Sequence, residues 1–157
     1  MKPKPPILGF QGKYRFLSNF YPCKVFLDGV RYRTVEHAYQ ASKFEDKKIR
    51  RQIKDCDSPS LAKHLARKLK KDTVPQTKRQ RIWNMDRLLS QKFFHDLNPV
   101  LFRKLARTEG RELLEVNTWG DTFWGRCNGK GENQLGITLS NVREVVLRYK
   151  REKPEQE

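Results

Sequence analysis

The chain has 157 residues, and its 34 Lys and Arg outnumber 18 Asp and Glu, giving a formal net charge of +16. That length suits one domain with a substantial core, and that charge points to nucleic acid or a phosphorylated ligand, although a basic chain can be basic for solubility alone. No apolar run reaches the ~18 residues of a membrane span. The start is rich in Pro and Lys without a signal peptide's apolar stretch, and the three scattered cysteines, Cys23, Cys56 and Cys127, suit a reducing intracellular setting, cytoplasmic or nuclear, rather than a disulfide framework.

Residues 1–8 read as a flexible basic arm, 9–149 as one domain and 150–157 as a frayed tail. Within the domain, 24–27 and 30–33 flank Asp28-Gly29, a pair suited to the positive φ angles of a hairpin turn. Thr34 is placed to cap a helix running to 44, with Glu36 in its first turn, where the helix dipole favours a carboxylate. Ser58-Pro59 starts a second helix to about 71, since proline is well placed at the first helical position. A long helix from 77 to 96 carries Ile82, Met85, Leu89 and Phe93 on one stripe. Asn98-Pro99 repeats the start signal, and Gly110 stops that helix. Residues 112–117 are a candidate strand, and a last helix spans 135–150 with Leu135, Leu139, Val142, Val146 and Tyr149 inward. The expected fold is mainly α, an α+β arrangement with a small sheet or hairpin in a single compact domain.

Several chemistries are excluded by spacing. Gly125 to Lys130 is one residue short of a phosphate loop, and Gly131 stands where that loop needs Ser or Thr. His37, His64 and His95 lack metal-ligand spacing and have no Cys pair beside them, so no metal is expected. His37 reads as a packing or surface residue.

Two regions hold concentrated chemistry. On the helix from Thr34, Glu36, Gln40 and Lys43 share one face and Tyr39 lies beside them: an acid, an amide, an amine and a phenol. An exposed Glu–Lys face is the plain alternative. Just upstream, Ser18 and Asn19 sit among Phe16, Phe20 and Tyr21, as polar groups lining an apolar pocket often do. The second region is 117–136, which holds five of the nine glycines and two of the three tryptophans, with Asp121, Asn128 and Asn133. Glycine permits close backbone approach and tryptophan offers a flat stacking face, so the loop suits a planar polar ligand. A long surface loop pinned by two core tryptophans is the alternative.

Four stretches together are specific. Phe16-Leu-Ser-Asn-Phe-Tyr-Pro22, Val35-Glu-His-Ala-Tyr-Gln-Ala-Ser-Lys-Phe44, Asp121-Thr-Phe-Trp-Gly125 and Gly129-Lys-Gly-Glu-Asn-Gln-Leu-Gly136 resemble the NADAR (YbiA-like) family in order and spacing, from about 10 to 143. The resemblance implies a compact, mainly helical fold and N-glycosidase activity without metal or redox cofactor. Some members of the family hydrolyse phosphoribosylated intermediates of riboflavin synthesis; others remove ADP-ribose from guanine in nucleic acid, reversing toxin-like transferases. Carried over by motif, Glu36 and Lys43 fall at the reaction centre and Asn19, Asp121, Trp124 and Asn133 line the site; Ser18, Phe20, Tyr39, Gln40, Gly125 and Gly136, beside them in the same stretches, are further substrate-binding candidates. Trp83 resembles the family's tryptophan in its long helix, and Trp119 is a further stacking candidate. Ser140 departs from the methionine the family often has there.

The chemistry fits those residue types. Cleaving an N-glycosidic bond builds positive charge at C1′ and negative charge on the departing nitrogen, so Glu36 could stabilise the cation or activate water. Asp121 is the candidate second acid, or a grip on ribose hydroxyls. Lys43 could attack C1′ and form a Schiff base if burial or nearby cations lower its pKa; a fixed ion pair with Glu36 or phosphate is its alternative. Between 47 and 81 thirteen Lys and Arg face three acids, and Lys63, Arg67, Lys70 and Lys71 form a candidate nucleic-acid face. This favours ADP-ribosyl-guanine in DNA or RNA as substrate, with ADP-ribose as product and a monomer as the default state. A metabolite N-glycosidase and a non-catalytic ADP-ribose or nucleic-acid binding module are the other readings.

Overall fold

Asp28 and Gly29 have φ of 48° and 79°, the pair of positive angles that lets a two-residue turn follow the twist of its strands. The strands they join are β2 (Val25–Leu27) and β3 (Val30–Tyr32), paired antiparallel with Val25 opposite Tyr32. These elements come from a computed structural model that describes residues 2–154. About half of the chain is helical, and the strands, β1 to β6, form three two-stranded pairs. The mainly α fold expected from the sequence is the fold observed. The chain packs as two units, residues 19–92 and residues 2–18 with 93–154.

In the unit of residues 19–92, helix α1 (Val35–Ala41) follows the hairpin and is capped by Thr34, whose Oγ1 accepts from His37 N at 3.1 Å. All seven α1 residues are buried. His37 proves to be a packing residue: Nδ1 meets Thr34 Oγ1 at 2.7 Å and Nε2 meets the Cys56 carbonyl at 3.0 Å. Helix α2 (Lys47–Lys54) was not expected. Asp46 Oδ1 caps it by accepting from Lys48 N at 2.7 Å, and Ile53 is its fully buried anchor. Helix α3 (Pro59–Lys68) starts at Ser58, whose Oγ accepts from Leu61 N, and a 3-10 turn at Lys70–Asp72 follows it.

Helix α4 (Lys78–Lys92) opens with a reciprocal cap: Thr77 Oγ1 accepts from Gln80 N at 3.1 Å, and Gln80 Oε1 accepts from Thr77 N at 2.8 Å. The helix ends at Lys92 rather than 96. Near its end Gln91 pairs with both Phe26 N (2.8 Å) and Phe26 O (3.0 Å), fastening α4 to the hairpin as an extra strand would. Lys92 is fully buried, and desolvation pulls its pKa to about 8.

In the other unit, β1 (Ile7–Leu8) pairs in parallel with β4 (Leu113–Leu114). The segment read as a flexible arm is therefore held over its described residues. Lys4 Nζ donates to Glu109 O at 2.9 Å, and Arg111 Nε donates to Pro5 O at 2.7 Å. A 3-10 helix (Gly12–Leu17) buries Phe16 and Leu17. Helix α5 (Pro99–Ala106) ends short of Gly110, at φ 76°. The strand expected over 112–117 divides into β4 and β5 (Val116–Asn117), the latter parallel to β6 (Arg126–Cys127).

Helix α6 (Gln134–Glu152) buries Leu135, Leu139, Val142 and Val146 as expected. Its buried Arg143 ties down the end of α5, with Nη1 donating to Thr108 O (2.8 Å) and Arg111 O (2.7 Å). The helix extends past 150, so the expected tail is helical through Glu152, and its last three residues, 155–157, lie outside the described residues. No helix among the described residues is long and apolar enough to cross a membrane.

Candidate active site

A carboxylate on a fully buried helix needs a partner, because desolvation of an unpaired charge is costly. Glu36 is 7% exposed, and its Oε1 accepts from Gln40 Nε2 at 2.7 Å, one turn further along α1. The Glu36 backbone N–H, one of the helix's unpaired starting donors, is taken by Asn19 O at 3.1 Å. Asn19 thereby links the upstream motif to the acid. Its Nδ2 approaches Met85 Sδ at 3.5 Å, and its buried Oδ1 has no hydrogen-bond partner among the described residues.

Lys43 lies just beyond α1, which ends at Ala41 rather than 44. Its N–H donates to Gln40 O at 3.2 Å, a tightened last turn that keeps it beside Gln40. Its ammonium sits 5.0 Å from the centre of the Tyr39 ring. Burial lowers the Lys43 pKa; Glu36 opposes this, while Lys63, Arg81 and Arg67 lower it further. Burial and neighbouring cations thus act together, against Glu36, in the direction that favours the neutral amine.

Lys43 and Gln40 line a cleft of about 410 Å³ with Lys63 and Arg67 of α3, Lys70 of the 3-10 turn and Arg81 of α4. Five cations therefore line one concave wall. Lys63, Arg67 and Lys70, read from the sequence as an open nucleic-acid face, belong to this cleft. Lys71 is exposed and outside its lining, and Arg81 is a member that sequence reading did not single out. Trp83 is 56% exposed on α4, and the Arg87 guanidinium lies 4.5 Å from the centre of its ring.

The glycine-rich loop belongs to the other unit, as does Ser18. Asn117 clamps the loop from both sides: Nδ2 donates to Asp121 O at 2.7 Å and Oδ1 accepts from Asp121 N at 3.1 Å. Asp121 Oδ1 in turn accepts from Phe123 N (3.2 Å) and Trp124 N (2.9 Å). One carboxylate oxygen is thus occupied in shaping the loop. Asn133 caps α6 at φ 53°, with Oδ1 accepting from Glu115 N at 3.0 Å and Nδ2 donating to Leu113 O at 2.9 Å. Its side chain is committed to the scaffold.

Gly125 and Gly136 are explained in the same way. An added Cβ would stand 2.3 Å from Glu115 O at Gly125 and 2.0 Å from Leu113 O at Gly136. Both serve close packing of backbone on backbone. Trp119 is 61% exposed and available for stacking, whereas Trp124 is half-buried, edge-on to Phe123 at 4.7 Å.

Sequence reading missed Glu115. Burial, reinforced by the Asp121 carboxylate, raises its pKa to about 7, and its buried Oε2 has no hydrogen-bond partner. An acid placed between the apolar Leu113-Leu114 pair and Val116 was the available signal. Among the described residues no three His, Cys, Asp or Glu side chains gather where a metal could bind.

The NADAR domain family model matches residues 9–147, running through both units. The chain belongs to the NADAR family. The N-glycosidase YbiA of Shigella boydii is 34% identical over 134 residues, covering 85% of this chain and 82% of that protein. The N-glycosidase Npun_R5314 of Nostoc punctiforme is 32% identical over 142 residues, covering 85% and 86%. The riboflavin biosynthesis protein VVA0006 of Vibrio vulnificus is 33% identical over 135 residues, but this NADAR chain spans only 36% of its length. The NMR structure of Escherichia coli YbiA matches with a TM-score of 0.79 at 30% identity, covering 99% of this chain and 92% of that one. The mainly helical fold with small sheets is therefore the YbiA fold.

Proposed function

We propose that this NADAR chain is an N-glycosidase that removes ADP-ribose from guanine in DNA or RNA. N-glycosidase chemistry as a class is supported by family membership and by the names of its relatives. The finer reading rests chiefly on one observation: Lys43, Lys63, Arg67, Lys70 and Arg81 line the cleft that reaches Gln40, the residue holding Glu36. One phosphoribosyl group needs two or three cations. Lys63, Arg67, Lys70 and Arg81 already suit a diphosphate, and Lys43 adds a fifth charge on the route where it stays protonated.

In the direct route, Glu36 stabilises the cation growing at C1′ or takes a proton from water, whose oxygen bonds to C1′ as the C1′–N bond breaks; the proton that the water gives up ends on the departing nitrogen. In the covalent route, the neutral Lys43 amine replaces the base nitrogen at C1′ and the base leaves with a proton. The sugar ring then opens to an imine, and water returns the free amine and ADP-ribose.

The metabolite reading is kept by the riboflavin-related names of the Vibrio protein and of PYRR from Zea mays. Offering the protein an ADP-ribosyl-guanine oligonucleotide and a phosphoribosylamino-pyrimidine side by side tests both. Release of ADP-ribose from the first, at a kcat/KM at least tenfold above that for the second, is expected. The reverse preference gives the function to the metabolite, and tight binding without release of either leaves a binding module.

A further inference from the structure

A second basic cleft, of about 300 Å³, lies in the unit of residues 2–18 and 93–154, lined by Lys13, Tyr14, Phe16, Lys104, Arg107 and Arg111. Its cations are held in an unusual way. Lys13 Nζ lies 5.1 Å from the centre of the Tyr14 ring, the Arg111 guanidinium also lies 5.1 Å from that ring, and Lys104 Nζ lies 5.6 Å from the Phe16 ring. An aromatic face orients a cation through its quadrupole without cancelling its charge. Arg111 is further fixed by its bonds to Pro5 O and to the Tyr14 hydroxyl. Four cations thus line one cleft, with three of them set in place by rings.

The potential is visible in Tyr14 itself. Burial works to raise its phenol, yet the hydrogen bonds and charges of Arg111 and Lys13 outweigh it and lower the pKa. Cations fixed around a concave surface make an anion site with little ordering cost on binding. With the Tyr14 ring taken by two cations and Phe16 buried, the cleft presents cations and no open ring face for stacking.

We propose that this cleft is a binding site for the phosphodiester backbone of a nucleic-acid strand, engaged by Lys13, Lys104 and Arg107, with Arg111 and Tyr14 as its positioning residues. It stands independently of the glycosidase reading, because a strand carrying no ADP-ribose would occupy it equally well. The plain alternative is that Lys104 and Arg107, at the end of α5, only offset the negative end of that helix.

The test uses the full chain and an unmodified single-stranded oligonucleotide, with binding followed by fluorescence anisotropy from about 50 to about 300 mM salt. Lys13→Ala/Lys104→Ala/Arg107→Ala should lower the log–log salt slope by about 2, at ~0.7 per phosphate neutralised, and weaken binding at least tenfold at the lowest salt. Arg107→Ala alone removes an exposed side chain and should lower the slope by about 0.7 with an unchanged melting temperature, so the idea remains testable if the triple variant does not fold. Lys13→Arg/Lys104→Arg, with Arg107 kept, should bind as the wild type does. A slope unchanged in both alanine variants would overturn the proposal. So would loss of the entire slope on neutralising Lys63, Arg67 and Lys70 alone, or displacement of the oligonucleotide by inorganic phosphate at equal phosphate concentration.

Discussion

Gln40 Nε2 holds Glu36 Oε1 at 2.7 Å on a helix with no exposed face. The amide fixes one rotamer of the carboxylate, which is the preorganisation that stabilising a developing charge requires. Glu36→Gln keeps the shape and removes the charge. Turnover of ADP-ribosyl-guanine should fall ~10²-fold or more while ADP-ribose still binds. Product affinity measured by calorimetry beside single-turnover rates checks this. A rate within threefold of the wild type would remove Glu36 from the reaction.

The wall of the cleft predicts a split between affinity and chemistry. Neutralising Lys63, Arg67 and Lys70 to alanine should raise KM for modified oligonucleotides and flatten their salt dependence by up to ~0.7 for each phosphate no longer neutralised. Lys63 and Arg67 also help lower the Lys43 pKa. If the free amine is the reactive form, the pH at which the rate rises should therefore move upward in the same variant. A profile that does not move would show that the cations act on phosphate alone.

How far the sequence revealed this arrangement depends on how local each signal was. The Asp28-Gly29 turn, the Thr34 and Ser58 caps and the Glu36–Gln40 spacing are set by neighbours in the chain, and each is found where it was expected, whereas Lys43 falls just past the end of α1. Helix α2 escaped because six of its eight residues are polar or charged and only Ile53 is fully buried; its signal was the Asp46 cap. The glycine loop was less legible for a different reason. Its glycines and Asn133 look ligand-facing in one dimension, yet Gly125, Gly136 and Asn133 meet Glu115 and Leu113, partners many residues away that only the folded chain supplies. Arg81 and Lys63 likewise share a cleft through tertiary packing that no spacing announces.

Glu115 predicts how stability depends on pH. Its folded pKa is about 7, against an ordinary 4.5. Between those values the folded state holds a proton that the unfolded state has lost, so stability should fall as pH rises from about 4.5 to 7 and then level off. The loss could reach ~3 kcal/mol at 1.36 kcal/mol per pKa unit, less whatever solvent reaches the carboxyl. Glu115→Gln keeps the bulk and cannot ionise. Urea unfolding at about pH 4.5 and about pH 8 should show the wild type losing stability between them and the variant changing by clearly less. Equal losses would place the titration elsewhere.

Lys43 separates the two routes to bond cleavage. Burial and neighbouring cations lower its pKa against the opposing pull of Glu36, and it opens onto the same cleft as Gln40, both of which favour a reactive amine, while the Tyr39 ring 5.0 Å from its Nζ favours the ammonium. If it attacks C1′, borohydride added during turnover should trap an adduct on Lys43, mapped by mass spectrometry, and Lys43→Ala should lose activity. Lys43→Arg is the sharper variant, because arginine preserves the charge and much of the reach but cannot form an imine. On the covalent route it should be as dead as alanine, and its activity should not recover at higher pH. If Lys43 only neutralises phosphate or steadies Glu36, arginine should keep a third or more of the rate and no adduct should form. The wild-type rate should also rise with pH up to the lowered lysine pKa on the covalent route, since only the unprotonated amine attacks. A rate that falls over that range, together with an active arginine variant, would leave the bond to Glu36 and an activated water.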